Sequence, residues 1–91
     1  MSVTVKIPTV FRKFTNNEAS TEVAAGSIAD VIQELESRYP GLREQLLTGD
    51  GELHRFVNVY VNDEDARYLE KLDTKVDEGD VVSILPSVAG G

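Results

Sequence analysis

The sequence has no cysteine, which removes disulfides, thiolate metal ligands and a thiol nucleophile together while leaving the redox compartment open. Its one histidine, His54, has no Cys or Asp/Ser constellation beside it, so a loop histidine is expected rather than a ligand or a base. "DEDARYLE" spaces several carboxylates but lacks the glycine that a calcium loop needs at its sixth position, and no metal is expected there. No stretch approaches the ~20 apolar residues of a membrane-spanning helix, and no basic leader runs into an apolar segment. A soluble, cytoplasmic protein with no membrane partner is expected.

Basic residues are scarce: nine Lys and Arg stand against 16 Asp and Glu, a net charge of -7. A phosphate backbone would be repelled, so nucleic acid is not an expected partner, and anionic membrane is disfavoured for the same reason. A basic groove on a partner protein is the natural complement. At 91 residues the chain can bury one modest core but not a large enclosed active site with its supporting shell. A binding, carrier or scaffold role is favoured over independent catalysis. Linkers rich in Pro, Gly and Ser, low-complexity tracts and solenoid-period repeats are all missing.

What is present is clear periodicity. "VTVKI" (3–7) alternates, placing Val3, Val5 and Ile7 on one face of a half-buried strand. After an Asn16-Asn17 turn signal, "STEVA" can return along it as a hairpin partner. Ile28, Val31, Ile32, Leu35 and Tyr39 then recur at helical spacing. Ser27 is placed to cap that helix with Asp30 in a capping-box position, and Pro40-Gly41 stops it. "GLREQLL" offers a further helical turn with Leu42 and Leu46 on one side, and "TGDGE" is a loop. "RFVNVYVND" alternates again, with Val57, Val59 and Val61 toward the core and Phe56, Asn58, Tyr60 and Asn62 outward. "NDEDARYLEKLDTKV" reads as a polar turn with room for a short strand, then a crossing segment anchored by Leu69, Leu72 and Val76. "VVSILP" is a final strand ending at Pro86. The order predicts an α+β layer arrangement: a mixed sheet of four or five strands with one main helix packed on one face.

That order, a last strand running into "LPSVAGG" and a chain stopping at Gly91 resemble the MoaD/ThiS family of ubiquitin-like sulfur carriers, whose fold is the β-grasp. "LHRFVNVYVNDEDAR" with "ILPSVAGG" is most similar to the CysO-type carriers, and the resemblance spans essentially the whole chain. It implies a β-grasp domain over 1–86 with a flexible tail over 87–91. It further implies that the protein is no enzyme but a co-substrate whose Gly91 carboxylate is adenylated by an E1-like enzyme (MoeB/ThiF/MoeZ-type) and converted to a thiocarboxylate. The implied acceptor is a cysteine synthase dependent on pyridoxal phosphate (PLP), with a JAMM-type zinc peptidase releasing the product. Related carriers serve molybdopterin, thiamin or secondary-metabolite biosynthesis, and related modifiers form isopeptide bonds through the same terminus. ATP and PLP would sit on the partners, since this sequence has no phosphate-binding glycine motif.

The chemistry fits the residues. A terminal carboxyl, which ordinarily titrates near about pH 3.5, is an anion at neutral pH, able to attack phosphorus but a poor acyl donor until it carries a leaving group. Gly90 and Gly91 lack the Cβ that would restrict an extended tail in a narrow channel, Pro86 ends ladder pairing, and Val88 and Ala89 are left to contact a partner. Phe56, Tyr60 and Leu85 are expected on the sheet face away from the helix, near the root of the tail, as an apolar surface for the activating enzyme; the alternative is that they tuck under the "TGDGELH" loop or the "DEDARY" turn. Asp63, Glu64 and Asp65 could steer basic partners, although such a charge run also suits a solvated turn.

Overall fold

The computed structural model describes residues 2–86. The expected tail, Ser87–Gly91, lies outside the described residues. Among the described residues seven strands form: β1 (Val3–Lys6), β2 (Ser20–Val23), β3 (Gly26–Ser27), β4 (Val57–Val61), β5 (Glu64–Asp65), β6 (Lys75–Val76) and β7 (Val81–Pro86). Two α-helices accompany them, α1 (Ile28–Arg38) and α2 (Leu42–Leu46). Five strands make a mixed sheet in the order β2-β1-β7-β4-β5, and β3 pairs with β6 in a separate two-stranded ribbon.

The sheet follows from its alternation. Val3, Val5, Ile7, Val57, Val59, Val61, Val82 and Ile84 are all buried on the face covered by α1. β7 is the hub: it runs parallel to β1 (Val5 opposite Val82, Lys6 opposite Ser83) and antiparallel to β4 (Val61 opposite Val82, Val57 opposite Pro86). Helix α1 presents Ile28, Val31, Ile32 and Leu35 to this layer. The expected capping box is made: the Asp30 amide donates to Ser27 Oγ and the Ser27 amide donates to Asp30 Oδ2, each at 3.1 Å. Tyr39 closes the apolar stripe from the helix C-cap, its hydroxyl donating to Thr21 Oγ1 at 3.3 Å.

Gly41 takes a φ of 100°, a left-handed conformation that turns the chain sharply from α1 into α2. The Glu36 carboxylate accepts from the Gly41 and Arg43 amides, so the end of one helix caps the start of the next.

Three stretches differ from their sequence reading. Thr9–Phe14, to which the sequence reading assigns no element, forms a 3-10 helix with Phe11 and Phe14 packed against the core. The turn after it does use Asn16 and Asn17, at φ of 54° and 66°. The β3–β6 ribbon was not expected, because two-residue strands carry no period to detect. Leu69 is not an anchor of the crossing segment: it is 39% exposed, while Ala66 and Val76 are buried in the core and Leu72 is partly buried. Two short 3-10 helices, Ala66–Tyr68 and Lys71–Asp73, break this segment, and the tight turn of the first buries Ala66 and leaves Leu69 at its C-cap outside the core.

Replacing Ser27 with Ala removes an N-cap acceptor and is expected to cost about 1 kcal/mol in denaturant unfolding, with an unchanged m-value.

Candidate functional site

The site is built around the end of β7. Pairing between β1 and β7 stops at Lys6 opposite Ser83. Pro8, two residues on, has no N–H to extend the ladder. Pairing with β4 continues to Pro86, which faces Val57. From Ile84 onward the strand therefore has a strand partner on the β4 side only. The sheet holds the chain up to Pro86, at the end of its central strand.

Beside that exit stands a turn closed by the Val57 amide donating to the His54 carbonyl at 3.0 Å, with Arg55 and Phe56 at its tip. The turn is clamped from outside. Arg67, in the 3-10 helix that follows β5, donates through Nη2 to the His54 carbonyl at 3.0 Å and the Val57 carbonyl at 2.9 Å. The Arg67 amide in turn donates to Asp65 Oδ1 at 2.9 Å, fixing the start of that helix. Phe56 is thus held at the surface, 51% exposed, with the Arg55 guanidinium carbon 5.9 Å from its ring centre. His54 occupies this loop, its amide donating to the Leu46 carbonyl.

The three apolar residues expected at the root of the tail divide. Leu85, opposite Asn58, is 45% exposed, and neither it nor Phe56 is tucked beneath a loop. Tyr60 is half-buried, opposite Ser83 on one side and Asp65 on the other. Lys6, Ser83 and Tyr60 lie in one row across β1, β7 and β4 on the face away from α1. Val88, Ala89, Gly90 and Gly91 lie outside the described residues.

Several contributors were not legible beforehand. Arg67 acts across ten residues of sequence separation, with nothing but the "DEDAR" string to flag it. Val10, 55% exposed, joins the surface because the segment Thr9–Phe14 is helical and follows directly on β1. Asp63, Glu64 and Asp65 sit at the opposite end of the sheet from Pro86, since β4 runs away from the exit. A cleft of about 370 Å³ on the flank is lined by Glu52, Leu53, Arg67, Glu70, Lys71, Leu72 and Asp73. That lining supplies no Ser, Cys or His nucleophile. No group of three or more His, Cys, Asp or Glu residues placed to hold a metal occurs among the described residues, and no helix among them is long and apolar enough to cross a membrane.

Comparison with known proteins places this arrangement. Residues 5–91 match the ThiS family. The sequence is 47% identical to the sulfur carrier protein CysO of Mycobacterium tuberculosis over 93 aligned positions, covering the full length of both chains. It is 42% identical to small archaeal modifier protein 3 of Haloferax volcanii over 65 positions, covering 71% of this chain and 70% of that one. The fold superposes with a TM-score of 0.91 and 46% identity on a chain of the Amycolatopsis orientalis BexX/CysO complex, covering 98% of this chain and 99% of that one.

Replacing Arg67 with Met should free the turn that carries Phe56. The expected outcome is a loss of about 1 to 2 kcal/mol in unfolding free energy and faster hydrogen exchange at the Val57 amide, with α1 amides unchanged.

Proposed function

This chain belongs to the ThiS family, and we propose that it is a sulfur carrier of the CysO type whose working group is the carboxylate of Gly91. The observation that carries the reading is the placement of β7: the strand with partners on both sides ends at Pro86, directly upstream of "SVAGG". Full-length similarity to a named sulfur carrier supports it.

In the proposed cycle an E1-like enzyme of the MoeB/ThiF/MoeZ type binds ATP and takes up the tail. A Gly91 carboxylate oxygen attacks the α-phosphorus, pyrophosphate leaves, and an acyl-adenylate forms. Sulfide delivered by a donor adds to the acyl carbon, AMP departs with the oxygen, and a thiocarboxylate remains. The carrier's part is binding and presentation. A rigid sheet fixes the tail root, and two terminal residues without a Cβ allow close approach of the backbone.

The acceptor we favour is a PLP-dependent cysteine synthase, with a JAMM-type zinc peptidase releasing the product. ATP and PLP belong to these partners, and a cytoplasmic location, where ATP is available, is part of the same reading. Sulfur delivery to molybdopterin, thiamin or secondary metabolites would use the same terminus. The similarity to a small archaeal modifier favours one second reading, isopeptide attachment of Gly91 to lysines of target proteins.

The test is to incubate the protein with its cognate activating enzyme, ATP and sulfide and weigh it intact. Exchange of one oxygen for sulfur is expected, and an unaltered terminus defeats the carrier reading. Conjugate ladders in protein isolated from its own cells would favour the modifier. A Gly91→Val variant should keep the unfolding midpoint yet form thiocarboxylate at least about 100-fold more slowly. Replacing Phe56 and Leu85 together with Ser should lower kcat/KM for activation by roughly 10-fold or more while leaving the fold intact by circular dichroism.

A further inference from the structure

The fold sorts charge by end of the sheet in a way that the overall balance conceals. The two segments flanking the exit of β7 are Lys6–Ala19, which contains the 3-10 helix after β1, and the Arg55-Phe56 tip of the turn before β4. They carry Lys6, Arg12, Lys13 and Arg55 against one acid, Glu18. Lys6, Lys13 and Arg55 are exposed, and none of them forms an ion pair among the described residues. Lys13 and Arg55 each lie over a phenylalanine ring, at 5.4 and 5.9 Å from its centre. Arg12 is already engaged, its Nε donating to the Ile7 carbonyl.

At the other end, the turns that lead out of β4 and into β7 carry Asp63, Glu64, Asp65, Asp77, Glu78 and Asp80 with no cation between them. Asn62 ties the two turns together, donating to Asp80 Oδ1 at 3.3 Å and accepting from the Val81 amide at 3.1 Å. A molecule with a net charge of -7 thus gathers basic segments at the end of the sheet where β7 finishes.

We propose that Lys6, Lys13 and Arg55, together with the exposed Val10, Phe56 and Leu85 at the same end of the sheet, form a cationic-apolar collar at the end of β7 that fits an acidic-rimmed, apolar tail entrance on the activating enzyme. The inference rests on the carrier reading given above and specifies the partner's chemistry. It reverses the expectation from composition alone, under which a basic groove would be the complement. The physical reason is distance. At physiological salt the Debye length is about 8 Å, so a docking surface responds to the charges at its own rim and little to the carboxylates at the far end of the sheet. Those distant carboxylates act at longer range and at low salt: they are repelled by an acidic entrance and turn the collar toward it.

Two double variants of identical net charge separate place from total. Lys13→Glu with Arg55→Glu reverses the collar, and Lys71→Glu with Lys75→Glu reverses two exposed lysines elsewhere. Thiocarboxylate formation by the cognate activating enzyme, ATP and sulfide is followed at low and high salt, with thermal melts confirming folding. The collar variant is expected to lose at least about tenfold in kcat/KM at low salt, with the gap narrowing at high salt, and the other variant to stay within about twofold of wild type. Equal losses in both variants would assign the effect to net charge and overturn the proposal. An unchanged or faster collar variant would overturn it as well. If the wild type itself forms no thiocarboxylate, the carrier reading fails. The collar is then judged separately, by salt-dependent binding of the same variants to that enzyme without ATP: weaker binding of the collar variant alone sustains it, and equal binding overturns it.

Discussion

The parallel pairing of β7 with β1 is the constraint on which the rest of the structure depends. A parallel pair cannot be closed by a tight turn and needs a long connection, and here nearly the whole chain between Lys6 and Val81 supplies it. That connection contains α1, which seals the inner face of the sheet, and β4, which takes the opposite side of β7. Once β7 is central, its Val82 and Ile84 are anchored in the core, and Leu85 and Pro86 are held by pairing with β4 alone. The last described residue, Pro86, is thereby held in register opposite Val57, as the proposed presentation of the terminus requires.

A small domain has few means of holding a surface loop in one shape, and this one uses a single arginine. Arg67 reaches from the helix after β5 to two carbonyls of the 54–57 turn, so the edge of the sheet and the turn at the exit are ordered together. The carbonyls of a turn are otherwise left to water, and a guanidinium with several donors can engage two at once. The exposure of Phe56 is therefore imposed by backbone contacts, without help from burial of its ring. An aromatic side chain fixed in place loses less entropy on binding than a mobile one.

The segregation of charge has the same origin in topology. Because β1 runs parallel and β4 antiparallel to β7, the residues after β1 and before β4 meet at the exit, and those after β4 and before β7 meet at the far end. Nothing in the net charge of -7 reveals that the first pair of segments is basic and the second acidic. Summed charge bears on solubility and long-range encounter, whereas docking is governed by charges within a Debye length of the contact.

What the sequence by itself determined is whatever repeats within a few residues. The alternation of Val57, Val59 and Val61, the helical spacing of Ile28 to Leu35, the Ser27–Asp30 capping box and the stop at Pro40-Gly41 all appear as read. The resemblance of "FVNVYVNDEDAR" and "LPSVAGG" also pointed to the ThiS family, which the full-length match bears out. Tertiary structure alone decided the exposure of Leu69 and burial of Ala66, the β3–β6 ribbon, the Arg67 clamp and the meeting of basic segments at the end of β7. Each joins residues far apart in sequence, or depends on a short 3-10 turn that resets which side chain faces inward. Local periodicity records only which face of its own element a residue prefers; which element will lie opposite is settled when the sheet closes around β7.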